Sequence, residues 1–307
     1  MPDSKPNLVL EIALLLLVAT LWGASYTFIK VGVETISPIT FIAARTIIAG
    51  AVLLIILRLR QISLPRDINT WKKFLFQACI NSVLPFTFVA WAEQYVNASL
   101  AVILNSSTPI FAFLLALILS RWQKSATQSA TKLKFFGVAS GMLGLCIVVG
   151  FQAFNDFGQQ LIPQIALVVS AMCYAGAAHF GRQFQNLDSM IPATGSLICG
   201  AIILLPFSLI IDRPWTLEPS QNSIVALLYL ALFSTALAFV IVFRLFRTLG
   251  SVATTSQAFL RVPLGVMIGA YALNETLSTN VWIGLIFVVI GVAAMTIPED
   301  IFKRKTG

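Results

Sequence analysis

Long uncharged apolar runs constrain this chain more than any other feature. They cover 12–29, 74–92, 94–120, 135–155, 157–181, 189–211, 219–243 and 276–298. Each has about the length, ~20 residues, that a helix needs to cross roughly 30 Å of hydrocarbon. Two further segments qualify with one internal charge each, 38–57 with Arg45 and 252–273 with Arg261. Ten spans account for most of the 307 residues and leave no room for a soluble catalytic domain. Strands of a membrane barrel would alternate polar and apolar residues in segments of about ten. These runs are apolar all round, so they predict helices. The first run is too long for the apolar core of a signal peptide, and Glu11 stands where a basic segment would precede it. It reads as a retained helix.

A net charge of +8 would suit a nucleic-acid partner, but its distribution points elsewhere. With ten spans, sixteen of the 20 Lys and Arg fall on one side, many of them in the loops around 58–73 and 121–134. The other side holds Lys30 and Arg213, and Arg45 and Arg261 lie within spans. This is the positive-inside pattern and predicts both termini in the cytoplasm, in a bacterial plasma membrane. The expected partners are the lipid bilayer and a small-molecule substrate, with no nucleic acid, and the chain is expected to work as a monomer. The four cysteines lie inside spans at no metal-like spacing, so neither a metal nor a cofactor is expected.

The chain also repeats itself. Pro109 is followed twelve positions later by Arg121, then by Gly137 and Gly144; Pro263 is followed twelve positions later by Glu275, then by Gly284 and Gly291. Trp22-Gly23-Ala24 and Lys30 match Tyr174-Ala175-Gly176 and Arg182 at a constant offset of 152. Two halves follow, 1–152 and 153–307, with five spans each and a boundary near 151–160. Because five is odd, the second half enters the membrane from the opposite face. The expected fold is an all-α integral membrane protein, one transmembrane domain of ten helices built as two inverted five-helix repeats. Carriers with this architecture place their site between the halves.

Trp22-Gly23, Phe41 with Arg45, and the string Pro263, Asn274-Glu275, Gly284, Gly291 resemble the EamA-type drug/metabolite transporter superfamily. The resemblance spans essentially the whole chain. It departs from the family pattern at Arg121, where a glutamate is common. It implies ten helices in two inverted repeats, a central pathway, and export or exchange of small metabolites, often amino acids.

Several residues could carry the chemistry of transport. Pro109 and Pro263 remove backbone donors within spans and are candidate hinges or substrate-facing bends. Arg261 near mid-membrane must face the interior or water, where it could bind a substrate carboxylate. Arg45 is shallow enough to snorkel and reads as structural. His179, the one histidine, could donate to a carboxylate or act as a proton switch. Trp22 and Tyr174 are symmetry mates at mid-depth. Tyr26 and Trp91 join them as pathway candidates, an interfacial aromatic belt competing for Trp91. Asn105 and Ser106 before Pro109, and Gln257 before Pro263, either join helices or line the pathway. The glycine strings read as helix packing.

No carboxylate lies at mid-span; Glu11, Glu93 and Glu275 are near span ends. Carboxylates are the usual ion relays of carriers, so weak or no ion coupling is expected. There is no phosphate-binding loop and no nucleophile–base motif, so no enzymatic activity is expected. The chain reads as a secondary transporter exporting small metabolites, namely aromatic or other neutral amino acids, by alternating access. The alternatives are a channel-like facilitator and a carrier of another metabolite or drug.

Overall fold

The computed structural model describes residues 7–96, 98–123, 132–149, 160–261, 263–264 and 279–296. Among the described residues the chain is helical, with no strand. Six helices are long and apolar enough to cross a membrane: α1 (Leu8–Gly32), α2 (Pro38–Leu59), α3 (Ile68–Ala92), and, further on, α7 (Leu161–Phe184), α8 (Met190–Asp212) and α9 (Gln221–Thr248). Between α3 and α7 lie α4 (Ala98–Asn105), α5 (Thr108–Gln123) and α6 (Lys132–Val149). After α9 come α10 (Ser251–Thr255) and α11 (Thr279–Thr296). Asn274, Glu275 and nearly all of the 151–160 boundary lie outside the described residues.

Local chemistry explains where these helices start. The Asp67 carboxylate caps α3 by accepting from the Thr70 N–H, and the Ser220 hydroxyl caps α9 by accepting from the Ser223 N–H. Such caps satisfy donors that the first turn leaves free. The two caps stand 153 positions apart. Eleven to twelve residues into each helix a π turn widens the backbone, at Cys79–Val83 in α3 and at Leu232–Leu237 in α9. These turns also start 153 positions apart.

Pro109 follows an interruption and does not bend a continuous helix. The chain leaves α4 at Asn105, turns through Ser106 and Ser107, and restarts at Thr108 with Pro109 in the first turn. There a missing N–H costs little. The Thr108 hydroxyl donates to the Asn105 carbonyl at 2.7 Å, serving the acceptor that a helical N–H at Pro109 would have served. In the second half α10 ends at Thr255, Ser256 forms the turn, and helix resumes over 257–261, with Pro263 buried in its continuation.

Helices of the two halves pack on each other. α1 lies against α9, α2 and α3 against α8, α3 and α5 against α7, and α6 against α11. The last pair is held by glycines. A Cβ on Gly144 would lie 2.6 Å from the Gly284 carbonyl oxygen, and one on Gly291 would lie 2.6 Å from the Gly141 nitrogen. Only hydrogen fits at such contacts, and close backbone approach is how helices gain dispersion in lipid. Large side chains such as Ile55, Ile202 and Ile286 are exposed, as a lipid-facing surface requires. Glu11 is fully buried and fully paired. Its carboxylate accepts from Arg244 Nη2 at 2.7 Å and from the Thr248 hydroxyl at 2.9 Å, joining α1 to α9.

Candidate functional site

Trp22, Ser25, Tyr26 and Ile29 recur at helical spacing, so α1 turns all four to one face. That face borders a cavity of about 30 Å³ whose other walls are Arg45 of α2, Phe86 and Val89 of α3, Tyr174 of α7, and Arg261. The volume holds about two waters. Four aromatic rings and two guanidinium groups line it, and among the described residues no carboxylate does.

The two arginines are held in different ways. Arg45 is 2% exposed; its Nε donates to the Thr235 hydroxyl, and its Cζ stands 4.1 Å from the centre of the Phe86 ring. Arg261 is 6% exposed and its Cζ stands 4.7 Å from the Trp22 ring. Both distances fit cation–π attraction, which strengthens in a desolvated site. Arg261 Nε donates to Gln257 Oε1 at 2.9 Å, and Nη1 reaches Asn105 Oδ1 at 3.3 Å and the Tyr26 hydroxyl at 3.4 Å. Tyr26 donates to the same Asn105 oxygen at 3.0 Å, and Asn105 Nδ2 donates to the Ser170 hydroxyl. A network of polar side chains thus crosses from α1 through α4 to α7 and back to Arg261. The terminal nitrogens of Arg45 and the Nη2 of Arg261 make no hydrogen bond among the described residues. They are donors available to a ligand.

The π turn of α9 supplies two of these anchors. In an α-helix every interior carbonyl accepts from the residue four ahead. The widened turn breaks that pattern, and the Ser234 carbonyl accepts the Trp22 indole N–H at 2.7 Å. Thr235, the acceptor for Arg45, is the next residue. The backbone of α1 also approaches the site closely. A Cβ on Gly23 would lie 2.8 Å from the Arg261 carbonyl oxygen.

The structure therefore brings Trp22, Tyr26, Tyr174 and Arg261 together at one cavity, with Asn105 and Gln257 bonded directly behind them. Ser106 is buried and donates to the Ala258 carbonyl at 2.9 Å, tying the two helix interruptions together. Trp91 and His179 lie elsewhere. Trp91 lines an open groove of about 640 Å³ beside Pro38 and Ile162, and its ring stands 5.2 Å from that of Tyr95. His179 lines a second open groove of about 730 Å³ with Phe76 and Arg182, its ring nitrogens within 3.4 Å of the Ala175 carbonyl and the Ser251 hydroxyl. Arg45 is buried at the cavity and does not snorkel to an interface. Phe86 and Val89 are apolar residues in an apolar helix and carry no sequence signal of their role.

The sequence profile of the EamA-like transporter family matches residues 9–150 and again 161–297. The chain is similar to the uncharacterized transporter YoaV of Bacillus subtilis, 24% identical over 90% of this chain and 92% of that one. It is likewise similar to the uncharacterized inner membrane transporter YedA of Escherichia coli K12, 27% identical over 93% and 90%. A solved crystal structure shares the fold, with a TM-score of 0.77 and 15% identity over 99% of this chain and all of its own. With both halves matched, this chain belongs to the EamA-like transporter family and is a multi-pass membrane transporter.

Proposed function

We propose that the protein is a secondary transporter of the plasma membrane that exports small metabolites, namely aromatic or other neutral amino acids, by alternating access. The observation that carries this reading is the cavity: two buried arginines with unused donors, aromatic walls, and no carboxylate among the described lining residues. The guanidinium donors suit a substrate carboxylate, and the rings suit an apolar side chain. The Ser25 and Tyr174 hydroxyl oxygens offer acceptors to an ammonium group. A space of about 30 Å³ is too small for an amino acid, so binding requires the halves to part. Ten helices in two inverted repeats with cytoplasmic termini, working as a monomer, is the arrangement that goes with this mechanism. The matching caps and π turns 153 positions apart in α3 and α9 support the repeat.

Counterflow tests the reading. Purified protein in liposomes loaded with unlabelled phenylalanine or leucine should accumulate the labelled amino acid transiently and saturably. Flux that does not saturate would make it a channel-like facilitator. Absence of counterflow with every amino acid would overturn the cargo and favour another metabolite.

A further inference from the structure

Glu93 follows directly on α3, in the turn after Ala92, one helical turn beyond Val89 and two beyond Phe86 on the face that lines the cavity. It is 0% exposed, and neither carboxyl oxygen has a hydrogen-bond partner among the described residues. No cationic nitrogen approaches within 4.0 Å, since the ion pair among the described residues is that of Glu11 with Arg244. Lys30, a candidate cation, is engaged elsewhere: its ammonium donates to the backbone carbonyl of Glu93. Among the described residues, the ionisable groups that act on the Glu93 carboxyl are Lys30 and Tyr26 from α1 and Arg45 from α2. α7 also packs along α3, and its Tyr174, Cys173 and His179 do not interact with this carboxyl. Glu11 shows the contrast. An equally buried acid in the same protein has an arginine and a hydroxyl on it.

A bare carboxylate at such a place would lose its hydration without a hydrogen bond or an ion pair in return, a large penalty even after relaxation. A neutral carboxyl avoids most of that cost. Building on the alternating-access reading above, we propose that Glu93 is a proton-binding site that gates this end of the cavity: protonated while the cavity is closed, ionised when it opens. On opening, water reaches the carboxyl, its O–H bond breaks heterolytically, and the proton passes to the solution on that side. The remaining carboxylate is then within reach of Lys30, which opening frees from the carbonyl. Positive-inside asymmetry places Lys30 on the outer side. Low external pH therefore holds the carrier closed and higher external pH favours opening. Proton release and rebinding on one side impose no net ion coupling, so the gate is compatible with uncoupled transport.

Two measurements test the site. Infrared spectra of the reconstituted protein near neutral pH should contain the C=O stretch of a neutral carboxyl, absent in Glu93→Gln and retained in Glu11→Gln. In a background with Cys79, Cys146, Cys173 and Cys199 replaced by Ala, a cysteine substituted for cavity-lining Ile29 reports opening through an impermeant maleimide. Its labelling, divided by that of the same protein carrying Glu93→Gln, should rise with pH by up to about tenfold per pH unit across the transition. Glu93→Asp should keep the rise, and Glu93→Met takes the place of Glu93→Gln as the divisor if the latter is not monodisperse. A spectrum without the neutral band, a band that survives Glu93→Gln, or a labelling ratio flat with pH would each overturn the proposal. Neither readout needs a transported substrate. Failure of amino-acid counterflow would thus remove the cargo assignment and leave the gate to be judged on its own data.

Discussion

Asn105 is the pivot of the cavity's polar network. Its Oδ1 accepts from both Tyr26 and Arg261, and its Nδ2 donates to Ser170. Asn105→Ala leaves a buried hydroxyl and a buried guanidinium N–H without that acceptor, a penalty of about 1–3 kcal/mol for each donor stranded. The variant should melt measurably below the parent in detergent, by thermal-shift fluorescence, and should lose counterflow, while Asn105→Asp keeps the acceptor. Much of this site is legible in the sequence, because Arg261, Tyr26 and Asn105 are polar groups on helices that otherwise face lipid. Polarity in an apolar run is a strong signal. Phe86 gives no such signal: one Phe among 23 looks like any other until its ring is found beneath Arg45. Glu93 is misleading in a different way. Its position near a span end suggests solvent, yet in the folded protein it is 0% exposed.

The glycine contacts set the behaviour of the elements. α6 and α11 approach so closely at Gly144 that a methyl would strike the Gly284 carbonyl and the Val288 nitrogen at 2.6 and 2.7 Å. Both are backbone atoms and cannot rotate away. Gly144→Ala should therefore destabilise by about 1–3 kcal/mol through forced separation of the pair. Gly176 is the matched control. Nothing lies within 4 Å of a Cβ there, so Gly176→Ala should fall within about 0.5 kcal/mol of the parent. Melting temperatures of the two variants, measured side by side, check the contrast. Helix positions follow from apolar run length, and the glycine seam from small-residue spacing. The π turns do not: Cys79–Val83 and Leu232–Leu237 contain no residue type that marks a widened turn. In Leu232–Leu237 the Ser234 carbonyl and the Thr235 hydroxyl bond across to other helices.

For the whole molecule, the asymmetric charge distribution governs orientation. Sixteen basic residues on one set of loops against two on the other predict cytoplasmic termini. A fluorescent protein fused after Gly307 should mature and fluoresce in bacterial cells, and alkaline phosphatase at the same place should stay inactive. The reverse pattern would put the Lys30 end inside and turn the proposed direction of gating around. The halves are joined by more than apolar contact. Glu11 with Arg244, Trp22 with Ser234, and Arg45 with Thr235 each bridge residues more than 180 positions apart. Any motion that opens the cavity must break or carry along these bonds.

The widened turn of α9 has one more consequence, for how the chain tolerates change over time. A π turn holds one residue more than an α turn, so losing a single codon between Leu232 and Leu237 would return the helix to regular winding. Span length and hydrophobicity would barely alter, and membrane insertion would proceed. Yet the Ser234 carbonyl would be recaptured by its own helix, and the Trp22 indole would lose its acceptor. Here the heritable information lies in a count, independent of which residue fills the extra place, and a comparison that scores only residue identity would pass over it.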